Sequence, residues 1–271
     1  MSHMRTIISR RMSSSRLASM GFAALLCGAS PVLAQTLGTA ASFGVLGGST
    51  VTNTGPSVVT GNLGVSPGSA VTGFPPGIVT PPGTIHSNDA VASQAQNDVT
   101  TAFNSLAGAA CNTDLTGQDL GGKTLVPGVY CFSTSAQLTG ALTLSGAGTY
   151  IFKTGSTVTT ASNSSVVLIN GASSCNVFWQ VGSSATLGTT TAFAGNILAL
   201  TSITLNTGAN VSGGLYARNG AVTLDSNNVL ACGVGGLGGP NGASSVPTLA
   251  GWGLMAIAVL IGVAAIYRLK I

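Results

Sequence analysis

The chain has 271 residues, 39 of them glycine, with 45% hydrophobic and only 5% charged residues, against roughly 25% charge in an ordinary soluble domain. The formal charge of +4 is a property of the ends: Arg5, Arg10, Arg11 and Arg16 open the chain, and Arg268 and Lys270 close it. Between them Lys123, Lys153 and Arg218 face Asp89, Asp98, Asp114, Asp119 and Asp225, a net charge of −2. No basic patch exists there, which argues against nucleic acid as a partner.

Residues 1–34 read as a secretory signal peptide. A basic start is followed by an apolar run from Met20 to Leu26, and Val32-Leu33-Ala34 precedes the expected cleavage before Gln35. Cys27 hints at a lipoprotein site, but Leu26 is too large for the small residue such a site needs.

A helix is predicted over Asp89–Ala107, where Val91, Ala95, Val99, Ala102, Phe103 and Leu106 recur at helical spacing. Asn88 is the expected cap at its start and Gly108 at its end. With few charges, its apolar face should cover one side of a larger structure. The stretch from Gly108 to Val126 is turn-rich, and Asp114 and Asp119 suit turn formation there better than acid–base chemistry.

Six triplets put an apolar residue between small or hydroxyl residues and end in Thr. They are Thr50-Val51-Thr52, Ala141-Leu142-Thr143, Thr157-Val158-Thr159, Ser184-Ala185-Thr186, Ser202-Ile203-Thr204 and Ala221-Val222-Thr223. In a strand the middle residue faces a core and its neighbours face solvent. The expected site is therefore a ladder of Thr50, Thr52, Thr143, Thr157, Thr159, Ser184, Thr186, Ser202, Thr204 and Thr223 on one flat face. Thr is also an ordinary outward residue of strands, so the ladder alone does not distinguish a function from a surface. Thr154 to Thr157, Thr160 to Asn163 and Thr207 to Asn210 offer a second candidate surface at the corners.

Gly195-Asn196-Ile197-Leu198-Ala199 aligns with Gly213-Gly214-Leu215-Tyr216-Ala217, and each precedes one of the Thr strands. Val177-Phe178-Trp179-Gln180 and Ile151-Phe152-Lys153 fit earlier turns of the same repeat. Repeats of about 20 residues with short strands and Gly corners indicate an all-β solenoid. Arg218-Asn219-Gly220 reads as a corner with Asn-Gly supplying positive φ. Cys111, Cys131, Cys175 and Cys232 allow three pairings; the working guess is Cys111–Cys131 with Cys175–Cys232.

Gly233 to Ser245 reads as a flexible linker, so the domain spans 35–232. Residues 246–271 carry Val246-Pro247-Thr248-Leu249, Trp252-Gly253, an apolar run to Tyr267 and a basic tail, a layout long enough to cross a bilayer. This layout resembles the IPTL-CTERM sorting signals of Gram-negative bacteria, which implies an inner-membrane anchor and a sorting enzyme as partners, and export to the cell surface or medium.

Across the domain, an ordered set of motifs resembles the DUF3494 ice-binding protein family. It comprises Phe43-Gly44-Val45-Leu46-Gly47-Gly48-Ser49-Thr50-Val51-Thr52-Asn53, the 89–107 helix, Val126-Pro127-Gly128-Val129-Tyr130, Cys175-Asn176-Val177-Phe178-Trp179-Gln180-Val181-Gly182, and the stretches 200–209 and 217–225. The resemblance implies a discontinuous right-handed β-solenoid of triangular cross-section with one long helix alongside, in which a rung near the N-terminus need not neighbour the next rung in sequence. It also implies a secreted monomer that adsorbs to ice or ordered water, with no cofactor and no metal. The competing reading is a surface scaffold that holds glycans or matrix, which would need exposed aromatics on a solenoid face; Trp179 and Tyr216 are the candidates. An enzymatic reading fares badly, because the carboxylates are scattered and His86 has no evident partner.

Overall fold

The structure is a computed structural model, and it describes residues 37–232. The leader, the Gly-rich linker and the C-terminal apolar segment lie outside the described residues. Within them, no helix is long and apolar enough to cross a membrane.

Short strands and tight corners wind the chain into rungs, and each complete rung places one strand on each of three parallel sheets, which with partial end rungs have nine, seven and eight strands. This is a discontinuous right-handed β-solenoid of triangular cross-section with one long helix alongside. Every strand pair is parallel, so inward residues stack on their equivalents one rung away. Tyr130, Phe152 and Trp179 stack this way, with ring centroids 5.4 Å and 4.0 Å apart, and Phe193 closes on Trp179 at 4.9 Å. The repeat read from the sequence is the observed register: Ile197 pairs with Leu215, Leu198 with Tyr216 and Ala199 with Ala217. At the corner before these strands Gly213 has φ +143°, and a Cβ there would overlap the carbonyl oxygen of Gly195 on the next rung. Side chains are excluded both by the backbone conformation and by the closeness of the rungs.

The chain does not climb the stack in order. It starts with the rung Phe43–Gly47, Thr50–Thr54 and Val58–Thr60, adds a second, and then reaches Ile85–Ser87 at one end of the nine-stranded sheet. The helix carries it to Thr113–Asp114 at the opposite end, and five further rungs return until Leu215–Ala217 pairs with Phe43–Gly47. Nineteen residues of helix cover about 28 Å, and nine strands span about 38 Å, so the helix with its flanking turns matches the return distance.

The helix spans Ala90–Gly108 and buries Ala92, Ala95, Val99, Ala102, Phe103 and Leu106. That face lies on outward residues of the nine-stranded sheet, among them Leu46, Ile151, Phe178, Leu198 and Tyr216. Three details differ from the sequence expectation. Gly108 is the last helical residue and Ala109 is the C-cap, its N–H donating to Leu106 O. Asp89, not Asn88, is the N-cap, accepting from Ala92 N at 2.8 Å; Asn88 instead takes φ 49° to turn the chain into the helix. Val91 is 46% exposed, and Ala92 takes the inward position in the buried stripe with Ala95, Val99, Ala102, Phe103 and Leu106. Asp98 ties the helix to the opening turn, accepting from both Thr39 N and Thr39 Oγ1 at 2.7 Å.

The structure joins Cys111 to Cys131 and Cys175 to Cys232, with Cα separations of 5.9 Å and 5.4 Å. The corner at Arg218-Asn219-Gly220 does not use positive φ, contrary to the turn reading. Glycine is required there by crowding, since a Cβ on Gly220 would meet the Thr201 carbonyl and the Ser202 hydroxyl of the rung beside it.

Candidate functional site: a seven-rung threonine face

The helix closes one sheet, leaving two faces open. On the seven-stranded sheet the order is Ala136–Leu138, Val158–Thr160, Ala185–Leu187, Ile203–Leu205, Val222–Asp225, Thr50–Thr54 and Ala70–Thr72. Pairwise register aligns Gln137 with Thr159, Thr159 with Thr186, Thr186 with Thr204, Thr204 with Thr223, Thr223 with Thr52 and Thr52 with Thr72. Six threonines thus form one outward column, spaced about 4.8 Å apart and about 24 Å long. Beneath them Val158, Ala185, Ile203, Val222 and Val51 are buried in the core, which fixes the facing of every strand.

A second column runs beside the first through Thr157, Ser184, Ser202, Ala221 and Thr50. Its hydroxyls are partly used by the protein: Thr157 Oγ1 donates to Ser135 Oγ at 2.8 Å, Ser184 Oγ accepts from Ser202 N at 3.3 Å, and Ser202 Oγ accepts from Ala221 N at 3.2 Å. In the Thr column the one internal bond is Thr52 Oγ1 to Thr223 Oγ1 at 3.3 Å. Among the described residues the hydroxyls of Thr159, Thr186 and Thr204 have no protein partner and remain available to water.

Thr143 is not in this ladder. Ala141–Ser145 belongs to the eight-stranded sheet, where Thr143 pairs with Val167 and Thr124. The triplet pattern reports which residues face outward, but the same pattern recurs on two sides of a triangular coil. The ladder has two members that the sequence reading missed: Gln137 and Thr72. Ala70-Val71-Thr72 repeats the Ala221-Val222-Thr223 pattern, but it sits in a Pro- and Gly-rich stretch that obscures its strand character. The eight-stranded face is chemically different, exposing Ile78, Val167, Ile169 and Leu230, whereas the Thr face exposes no large aliphatic side chain.

Of the corner segments, Thr154 and Thr160 are buried and Thr207 donates to Asp225 Oδ2, while Ser162, Asn163 and Asn210 are exposed and Thr157 belongs to the second column of the Thr face. Trp179 and Tyr216 are fully buried and offer no stacking platform for a sugar.

The ionisable groups serve structure. Asp89 is held below its ordinary pKa by the Ala92 N–H and then by His86, and Asp98 chiefly by the Thr39 hydroxyl. Asp114 accepts from Thr116, which lowers it. For Asp119 burial acts upward but is outweighed by hydrogen bonds from Gly121 N and Thr139, so it too is lowered. His86 does have partners, contrary to the sequence expectation: Nδ1 lies 2.7 Å from Asp89 Oδ2 and Nε2 lies 2.9 Å from Thr84 Oγ1. The sequence hides this because Thr84 comes from the preceding corner and Asp89 from the helix cap. Asp89 is committed to capping, and Thr84 N is engaged by Asn62 Oδ1 at 3.0 Å.

Fold and surface together define a class: a rigid coil presenting a flat, uncharged, regularly spaced hydroxyl-and-methyl face to solvent. Comparison with known proteins is specific about which such coil this is. The family model described as Ice-binding-like matches residues 45–230, and the chain belongs to that family. An ice-binding protein of Nostoc sp. is 61% identical over 79% of this chain and 80% of its own length. One from Flavobacterium frigoris is 35% identical over 71% of this chain and 75% of its own. Among solved structures, an ice-binding protein from an Antarctic biological consortium superposes with a TM-score of 0.70 at 40% identity, covering 83% of this chain and 96% of that one. The ice-binding protein of the ascomycete Antarctomyces psychrotrophicus gives 0.70 at 42% identity, covering 73% and 98%.

Proposed function

We propose that this protein is an exported ice-binding protein that adsorbs to ice through the Thr column of the seven-stranded sheet and so inhibits ice growth and recrystallisation. The observation that carries this reading is the in-register run from Thr159 to Thr72, with the hydroxyls of Thr159, Thr186 and Thr204 unclaimed by the protein. Methyl groups order the water beside them, and the hydroxyls hydrogen-bond it at a fixed repeat. Water held this way joins the lattice, and a front pinned between adsorbed molecules must curve to advance, which slows it. The coil is already rigid, so little conformational entropy is lost on adsorption. Affinity arises from many weak contacts made together. The face needs no cofactor and works as a monomer.

Export is supported by the leader reading of residues 1–34 and by the two disulfides, which suit an oxidising compartment. The 246–271 segment is read as a membrane anchor recognised by a sorting enzyme. Radiolabelled full chain should fractionate with membranes and shift to the surface or medium as a shorter species; a species of constant length would remove the sorting enzyme from the scheme.

The face is tested by Thr186→Tyr with Thr204→Tyr. Both positions are half-buried among their neighbours and lie mid-column. The purified double variant should keep its far-UV circular dichroism and lose at least tenfold in thermal hysteresis. Retained hysteresis in the folded variant would move the contact to another face.

A further inference from the structure

The Thr column crosses a gap in the chain. Val222–Asp225 is the last of its strands in sequence and Thr50–Thr54 the first, so Thr223 and Thr52 are neighbours separated by 171 residues. Elsewhere a corner of fixed length joins successive rungs and sets their register. At this seam no short connection does so, and a slip of one residue would turn Thr52 and Thr72 inward.

The inner corner between the Thr face and the eight-stranded face shows what replaces it. One column of small buried residues runs through this corner, one per rung: Ser164, Thr191, Ala209, Asn227 and Ser57, each preceding a paired strand residue. Asn227 is the largest of them and is fully buried, as is Ser57. Its side-chain amide fixes the turn from Asp225 and ties it to the rung below, and that turn presents the Asn227 backbone N–H to the seam. Nδ2 donates to Asn206 O on the rung below at 2.9 Å, Oδ1 accepts from Asp225 N in its own rung at 2.6 Å, and its backbone N–H donates to Ser57 Oγ across the seam at 3.0 Å. Ala209 leaves room for the amide. A slip across the seam would leave the buried Ser57 hydroxyl and the Asn227 N–H unmatched, a larger penalty than losing the part-buried Thr52–Thr223 bond.

We propose that Asn227 and Ser57 are positioning residues for the ice-contact face: they lock the first rung onto the last and so join Thr52 and Thr72 to Thr223 in one column. This rests on the Thr-face reading. In the full chain, Asn227→Ala should keep its circular dichroism at 4 °C yet lose at least threefold in thermal hysteresis. Val58 and Asn228 pair in register on the two sides of the seam and point outward. A disulfide from Val58→Cys with Asn228→Cys, verified by intact mass, should restore the Asn227→Ala variant to within twofold of the equally stapled parent, which a loss of general stability elsewhere would not allow. Ser57→Ala removes the side-chain acceptor that meets the Asn227 N–H across the seam and should show a loss at least as large, also restored by the staple. Full activity in folded Asn227→Ala, failure of a formed staple to restore it, or failure of both variants to fold when stapled would overturn the proposal. Thr52→Tyr separates the two readings: if it leaves hysteresis intact the face is misassigned, whereas an inactive Thr52→Tyr beside a fully active Asn227→Ala overturns the seam alone.

Discussion

At the scale of residues, a threonine contributes here through its neighbours rather than its own chemistry. Thr143 and Thr159 each pair in register with flanking strands, but Thr143 lies between Thr124 and Val167 while Thr159 lies between Gln137 and Thr186. Gln137 breaks the column at one end with a long, flexible amide. Gln137→Thr should extend the ordered array by one rung and raise thermal hysteresis by up to about twofold, measured at equal concentration; an unchanged value would mean that the end rung takes no part. The carboxylates act on stability. Asp89, Asp98, Asp114 and Asp119 all have lowered pKa values in the folded protein. Their contribution is complete above the unfolded value of about 3.9 and is lost as pH falls through the lower folded values. The melting temperature should therefore be level from about pH 7 to pH 5 and fall below about pH 4. A decline already complete at pH 5 would assign acid sensitivity to other groups.

At the scale of elements, the helix does two things: it returns the chain to the far end of the coil and it covers the large apolar outward residues of the nine-stranded sheet, among them Leu46, Ile151, Phe178, Leu198 and Tyr216. Its spacing made it plain in the sequence, since Ala95, Val99, Ala102, Phe103 and Leu106 recur as a buried stripe should. Its start was less plain because Asn88 and Asp89 are both good caps, and only the observed backbone assigns the role to Asp89. Asp89→Ala removes the N-cap and should lower the melting temperature by about 2–4 °C, with thermal hysteresis near 0 °C unchanged because the helix and the Thr face lie on different sides. A hysteresis loss in the folded variant would place the helix side in the ice contact. The strands were legible one at a time through their alternating facing. Which of three sides each strand occupies was not, because that depends on corner lengths, and Ala141-Leu142-Thr143 went to the wrong side for that reason.

For the whole molecule, the column exists only because the first rung returns to meet the last. Local patterning contains no sign of this: nothing in Thr50-Val51-Thr52 names Ala221-Val222-Thr223 as its neighbour, and the discontinuity came from family resemblance rather than from spacing. The buried Asn227–Ser57 contact is its physical mark, and it too links residues far apart in sequence. Thermal hysteresis across a set of single tyrosine substitutions tests the assembled face most directly. Thr159, Thr186, Thr204, Thr223, Thr52 and Thr143 would each be replaced in turn, with folding verified for each variant. The expected result is a loss of at least fivefold at the first five positions, with Thr223 and Thr52 behaving as neighbours, and no more than a twofold change at Thr143. Thr143→Tyr as damaging as Thr159→Tyr, or full activity retained at Thr186 and Thr204, would contradict it.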